Sequence, residues 1–234
     1  MPMPTFRTIV YVDGFNFYYG AVRGTPWKWL DPVALFQKVL GQQNKLVKIK
    51  YFTARVQPSP NDPNVNVRQD AYLRALRAHC PPVELHYGHF LRHRIPMEHA
   101  NPPPHSVEVW KNEEKGSDVN FALHVLNDAW QDAYDCAVIV SNDSDLAESL
   151  RLVKAQHRKL IGLVTPGVPT RKTSRQLSQY ADFVKPIRTW MLQSSQLPDP
   201  IPGTTILKLV TLCLAKARVE GGRAKARRRF PAAQ

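Results

Sequence analysis

The sequence predicts an α/β fold built on a mostly parallel, doubly wound sheet, and three observations carry that prediction. Strand-like and helix-like apolar periodicities alternate from residue 6 to residue 188, as they do when parallel strands are joined by crossover helices. Ile9-Val10-Tyr11-Val12 is an apolar run that stops at Asp13-Gly14. Val138-Ile139-Val140 is another, stopping at Ser141-Asn142-Asp143-Ser144-Asp145 and followed by Leu146, Leu150 and Val153 at helical spacing. Both read as buried strands with carboxylates at the carboxyl end, the edge where open parallel sheets collect ligands.

Taken in order, the first strand leads into an aromatic cluster, Phe15, Phe17, Tyr18, Tyr19, Trp27 and Trp29. Most of these rings read as core or lid, with one or two exposed, where nucleic-acid bases could stack. Asp31-Pro32 caps and starts a packing helix whose apolar face is Val33, Leu35, Phe36 and Val39, and Gly41 ends it. Leu46 to Val56 reads as the second strand and Asn66 to His79 as a helix, with a proline-rich loop between them. Val83 to Leu91 reads as a third strand, and Arg92 to His105, carrying Pro96, Pro102, Pro103 and Pro104, as an irregular insertion. Arg92 and Arg94 follow a strand end directly, so they are candidate phosphate contacts. Six of the eight histidines lie between His79 and His105. His86, His89 and His93 lack a matched Cys/His ligand set, so this stretch reads as a basic or structural loop and not as a zinc site.

Val107 to Trp110 reads as a short extended segment leading to Glu113 and Glu114; Glu114 could supply a further ligand, but it reads first as a surface acid near a helix. Lys115-Gly116-Ser117-Asp118 precedes Val119, Ala122, Leu123, Leu126 and Trp130 at helical spacing. Asp118 then lies in the first turn of that helix, where the dipole tolerates it and from which it can face the strand ends. Leu146 to His157 is predicted as a helix, Leu160 to Thr165 as a strand, Thr170 to Tyr180 as a helix and Asp182 to Ile187 as a closing strand.

The 43% hydrophobic content suffices for a core, but a net charge of +13 is unusual and favours a polyanionic partner, nucleic acid first. Three distant cysteines, Cys80, Cys136 and Cys213, give no disulfide framework and suggest a reducing compartment. Neither the amino terminus nor the apolar window from Ile206 to Ala215 has the length of a membrane span, so the expectation is a cytoplasmic protein with no membrane partner. The division expected is a domain over residues 1–190 and an extension over 191–234, in which eight cations face two acids and the stretch from Gly221 reads as a disordered basic arm. A homodimer is left open.

Two strands that end in acids bring Asp13 and Asp143 face to face if they are neighbours, and crowded carboxylates then demand protons or a cation. A helix-cap role for Asp143 or Ser144 stands beside that reading. Four ordered motifs, V-D-G-F-N at Val12 to Asn16, K-G-S-D-V at Lys115 to Val119, S-N-D-S-D at Ser141 to Asp145, and Ser174, Leu177, Ala181, Asp182 and Phe183, resemble the NYN domain in its LabA-like branch. The resemblance implies a PIN-like, Rossmann-type three-layer fold and a metal-dependent ribonuclease leaving 5′-phosphate and 3′-hydroxyl ends. It implies Asp13, Asp118 and Asp143 as ligands of Mg²⁺ or Mn²⁺, with Asp145 as a further ligand or base. Asn16, Ser141, Asn142 and Lys115 join Arg92 and Arg94 as candidate groups that orient the shell or hold RNA. Asn142 stands where the motif usually has Gly, which narrows the conformational choice of the turn, although Asn is the next best tolerated residue at positive φ. The rival readings are an RNA-binding adaptor that kept the fold and a phosphatase or nucleotide hydrolase using the same acids.

Overall fold

The computed structural model describes residues 5–60, 62–167, 173–206 and 208, and it divides the chain into compact units at Met1–Leu197 and Pro198–Gln234. In the first unit six parallel strands form the sheet: β1 (Phe6–Asp13), β2 (Asn44–Thr53), β3 (Val83–Tyr87), β6 (Cys136–Val140), β7 (Leu160–Thr165) and β8 (Phe183–Pro186). Their spatial order, β3-β2-β1-β6-β7-β8, makes β1 and β6 adjacent. The chain winds outward in one direction from β1 and in the other from β6, so the gap between their carboxyl ends is the topological switch point of a doubly wound fold.

The helices α1 (Gly14–Phe17), α2 (Pro32–Val39), α3 (Val65–His79), α4 (Ser117–Trp130), α5 (Ala147–Leu152), α6 (Arg175–Ser178) and α7 (Thr189–Gln193) complete the unit. Asp31 Oδ1 accepts from Val33 N at 2.8 Å and Ala34 N at 3.0 Å, so α2 starts at the expected cap and proline. Residues 168–172 and most of the basic tail lie outside the described residues, including the expected start of a helix at Thr170 and the arm from Gly221. What is described there is the short α6 preceded by Ser174. The unit runs past the expected boundary at residue 190, because Leu30 bridges Gln196 and Lys38 Nζ donates to Ser194 O at 2.6 Å.

Two expectations are corrected. The third strand ends at Tyr87, and the stretch read as an irregular insertion is an antiparallel arm of β4 (His89–Glu98) and β5 (Ser106–Lys115). Gly88 makes the exit possible: a Cβ there would lie 2.7 Å from Lys115 O and 2.6 Å from Ser117 Oγ, so the arm leaves and re-enters the sheet at one crowded point. Pro96 is tolerated in β4 because a two-stranded ribbon consists only of edges, and its missing N–H faces no third strand.

The core on the α4 and α5 side packs Tyr11, Phe52, Phe121, Val125, Ile139, Leu150 and Leu163. Within it Lys50 Nζ lies 2.6 Å from Asp128 Oδ2, with side chains only 8% and 7% exposed, and Tyr11 OH donates to the same oxygen at 2.7 Å. Lys50 also lies 3.2 Å from His124 Nδ1. Ammonium has no lone pair, so that nitrogen accepts, and burial and Lys50 together lower the His124 pKa. In the second unit Thr204 N donates to Ile201 O and Ile201 N to Ile206 O, both at 3.2 Å.

Candidate active site

The site grows out of the last residue of β1. Gly14 follows Asp13 because α1 turns so tightly over β2 that a Cβ would lie 2.6 Å from Phe52 O. The buried Asp13 caps this turn through Oδ1, which accepts from Asn16 N at 2.9 Å, and its Oδ2 accepts from Ser141 Oγ at 3.0 Å across the strand gap. Ser141 Oγ in turn accepts from Asp143 N at 3.1 Å, and Asp143 Oδ1 caps the next turn by accepting from Asp145 N at 3.0 Å. Asn16 Oδ1 accepts from Asn142 N at 3.3 Å, and Asn142 Oδ1 from Ser174 N at 2.7 Å. Asp143 therefore does cap the turn that follows it, as Asp13 caps α1, and the hydroxyl of Ser141 links the two ends. Asn142 is not at positive φ, so the turn does not need the glycine that the motif usually has there; its backbone N–H ties the β6 turn to α1 and its side-chain oxygen ties it to Ser174.

The third wall is the start of α4. Gly116 turns at φ 87°, a left-handed conformation that glycine adopts without strain, and swings Ser117 inward and Asp118 into the first helical turn. Glu114 enters from the base of the arm. The strict alternation of β5 puts it on the same face as Asn112 and Trp110, and its Oε1 is buried with no hydrogen-bond partner among the described residues. The sequence favours a surface acid at Glu114 over a further ligand; a strand running through to Lys115, with Glu114 two residues before the Gly116 turn, is the signal that tips the balance.

Burial and neighbouring charge raise the pKa values of three of these acids. Burial pushes Asp13 up to about 6, opposed by its hydrogen bonds to Asn16 and Ser141 and reinforced by the charges of Asp118 and Asp143. Burial likewise pushes Glu114 up to about 7, opposed by Ser117 and reinforced by Asp13 and Asp118. Asp118 is raised by burial and by the charges of Asp143 and Asp145. Among the described residues no three or more His, Cys, Asp or Glu side chains stand together as a group that could hold a metal ion. In chemistry, though not in present spacing, the donor set suits a hard divalent cation: it is made of carboxylate oxygens, and one of them, Glu114 Oε1, is buried with no hydrogen-bond partner among the described residues.

The other candidates are spread more widely. Lys115 ends β5 on the face opposite Glu114, 3.5 Å from Glu113. Arg92 and Arg94 lie on the face of the arm that bears Glu114, at 4.6 Å and 4.8 Å from the ring centre of Trp110. Of the aromatic cluster, Phe17 and Trp29 are buried, while Tyr18 and Tyr19 are exposed, with the Arg23 guanidinium 5.1 Å over Tyr19. Asp182 is structural: its Oδ2 accepts from Ile161 N at 2.7 Å and from Lys154 Nζ at 2.6 Å, pinning the approach to β8 onto β7.

A doubly wound sheet with carboxylates at its switch point defines the class: an α/β domain that carries acids at the edge where such sheets bind ligands. The chain matches the NYN domain over residues 7–188, and it belongs to that nuclease-like family. It is 36% identical to 6-hydroxy-3-succinoylpyridine 3-monooxygenase HspA of Pseudomonas putida (strain DSM 28022 / S16), over 84% of this chain and 72% of that protein. A crystal structure of a protein of unknown function from Vibrio parahaemolyticus superposes with a TM-score of 0.51 over 81% of this chain and 97% of that one, at 21% identity, a likeness of fold. Among the described residues no helix is long and apolar enough to cross a membrane.

Proposed function

We propose that this chain is a metal-dependent ribonuclease of the LabA-like branch of the NYN family, acting in the cytoplasm. The observation that carries the reading is the gathering of carboxylates at the switch point, where Asp13 at the end of β1 is linked through Ser141 to the turn of Asp143 and bordered by Asp118 and Glu114, with burial and neighbouring charge raising the pKa values of Asp13, Asp118 and Glu114. Asp13, Asp118 and Asp143 would hold Mg²⁺ or Mn²⁺, which when bound supplies Lewis-acid activation of water and neutralises charge on the phosphate. Ser141 and Asn16 keep Asp13 and the β6 turn in register. Asp145 and Glu114 stand beside the ligand set as carboxylates able to take the proton of the attacking water. Lys115, Asn142, Arg92 and Arg94 supply polar and cationic contacts to the RNA backbone, in keeping with the net charge of +13.

The test is incubation of purified protein with mixed RNA, with and without Mn²⁺, alongside Asp143→Asn and Asp13→Asn. Mn²⁺-dependent cleavage lost in both variants is expected. Wild-type-like cleavage by both would remove these acids from the mechanism, and RNA binding with no cleavage by the wild type would favour the adaptor reading. A second reading follows from the 36% identical relative, whose name is that of a monooxygenase. Incubation with 6-hydroxy-3-succinoylpyridine, oxygen and a two-electron reductant, with a search for hydroxylated product, tests it directly.

A further inference from the structure

The β4–β5 arm separates its side chains by alternation into two unlike faces. One carries His89, Leu91, His93, Ile95 and Met97. The other starts at Glu114 beside the acid cluster and continues outward through Arg92 to Arg94 paired directly with Trp110. Trp110 remains 52% exposed although both guanidiniums lie against its ring. Arg92 is fixed from behind, since its Nη1 donates to Pro58 O at 2.5 Å. Arg94 is 64% exposed, and its nearest acid, Glu108, lies 3.9 Å away and is itself 71% exposed. A base stacks on a half-exposed indole of this kind by taking the place of a guanidinium over the ring, and the guanidiniums offer forked donors to the phosphates on either side of that base. From Glu114 to Trp110 is four residues of strand, about 14 Å, so the platform lies along one face from the acids and not across the molecule from them.

We propose that the Arg92–Trp110–Arg94 face of the arm binds a single polynucleotide strand, with one unpaired base stacked on Trp110 and adjacent phosphates held by the two guanidiniums. This rests on the ribonuclease reading for the identity of the ligand, and it makes the enzyme selective for unpaired RNA near the cut. A duplex keeps its bases stacked on one another and presents no free face to the indole.

Binding measured in chelator separates the platform from the chemistry. Fluorescence anisotropy should be read with a short base-bearing single strand, an abasic strand of the same length and a duplex. Wild type should hold the base-bearing strand about tenfold more tightly than the abasic one. Trp110→Ala should erase that difference and Trp110→Phe should keep most of it. Arg94→Ala should weaken both strands alike and flatten the salt dependence by about one counterion. Equal binding of base-bearing and abasic strands by the wild type, a preference surviving in Trp110→Ala, or duplex binding as tight as single-strand binding would each overturn the platform. Since no arm depends on cleavage, failure of the nuclease reading leaves this result interpretable, and cleavage without base preference overturns the platform alone.

Discussion

Asp13→Asn removes one negative charge from the site while keeping the side chain's shape. The buried carboxyl has its pKa raised from 3.8 to about 6, so the fold favours its protonated form. That contribution is fully present below pH 3.8 and is lost as the pH rises through about 6, so at neutral pH the metal-free protein carries a destabilised carboxylate. A shift of this size corresponds to about 3 kcal/mol. Asn retains the bond from Asn16 N, but its amide nitrogen cannot accept from Ser141 Oγ, a loss of about 1 kcal/mol. The net expectation at pH 7.5 in chelator is a variant more stable than wild type by about 2 kcal/mol, or roughly 4–8 °C in Tm for a chain of this size. At pH 4.5 the gain should largely vanish, and Mn²⁺ should raise the wild-type Tm well above its effect on the variant. Thermal melts followed by circular dichroism at both pH values, with chelator and with Mn²⁺, read all of this. A variant that melts below wild type at pH 7.5 in chelator, or an equal response of the two proteins to Mn²⁺, would overturn the electrostatic account of the site.

Removing one partner of the buried Lys50–Asp128 pair, by Lys50→Met or Asp128→Ala, should destabilise the fold by about 3–5 kcal/mol, because the remaining charge is left in the core; denaturant midpoints check it, and a loss under 1 kcal/mol would show the pair to be solvated. Gly116→Ala forces a side chain into φ 87°, so it should cost about 1 kcal/mol and cut Mn²⁺-dependent cleavage through displacement of Asp118, with stability and rate measured on the same preparation. Deleting Gly221–Gln234 removes five of the tail's cations, so it should weaken RNA binding and flatten its salt slope while cleavage at saturating RNA persists. An unchanged slope would show that the tail does not touch RNA.

The fold and the centre of the site were legible because they rest on local signals. Apolar runs that stop just before Asp13 and Asp143 need no knowledge of the rest of the chain, whereas the adjacency of the two strands stays conditional in the sequence and is decided by the parallel pairing of β1 with β6. The arm was missed because Arg-His-Arg and Pro96 look like loop chemistry, whereas its alternation becomes visible only when both strands are read as a pair. Glu114 reads as a surface acid ahead of a ligand for the same reason: its face is decided by the register of the arm between Gly88 and Gly116, not by its neighbours in sequence. Lys50 in a strand looks like an edge position; only the approach of Asp128 from α4, 78 residues away, makes a buried lysine tenable.

The crowding of Gly88 against Lys115 and Ser117 has an evolutionary reach. Because the arm departs and returns at one point, it can be lengthened, shortened or exchanged without disturbing a single rung between the parallel strands. It is a cassette. Yet the cassette carries Glu114 with it, so whatever arm is inserted brings its own carboxylate, or lacks one, at the edge of the acidic site. Changes of ligand preference and changes in the charge of the reaction centre are thereby inherited in one step, a route by which chains sharing this sheet could come to act on unlike molecules.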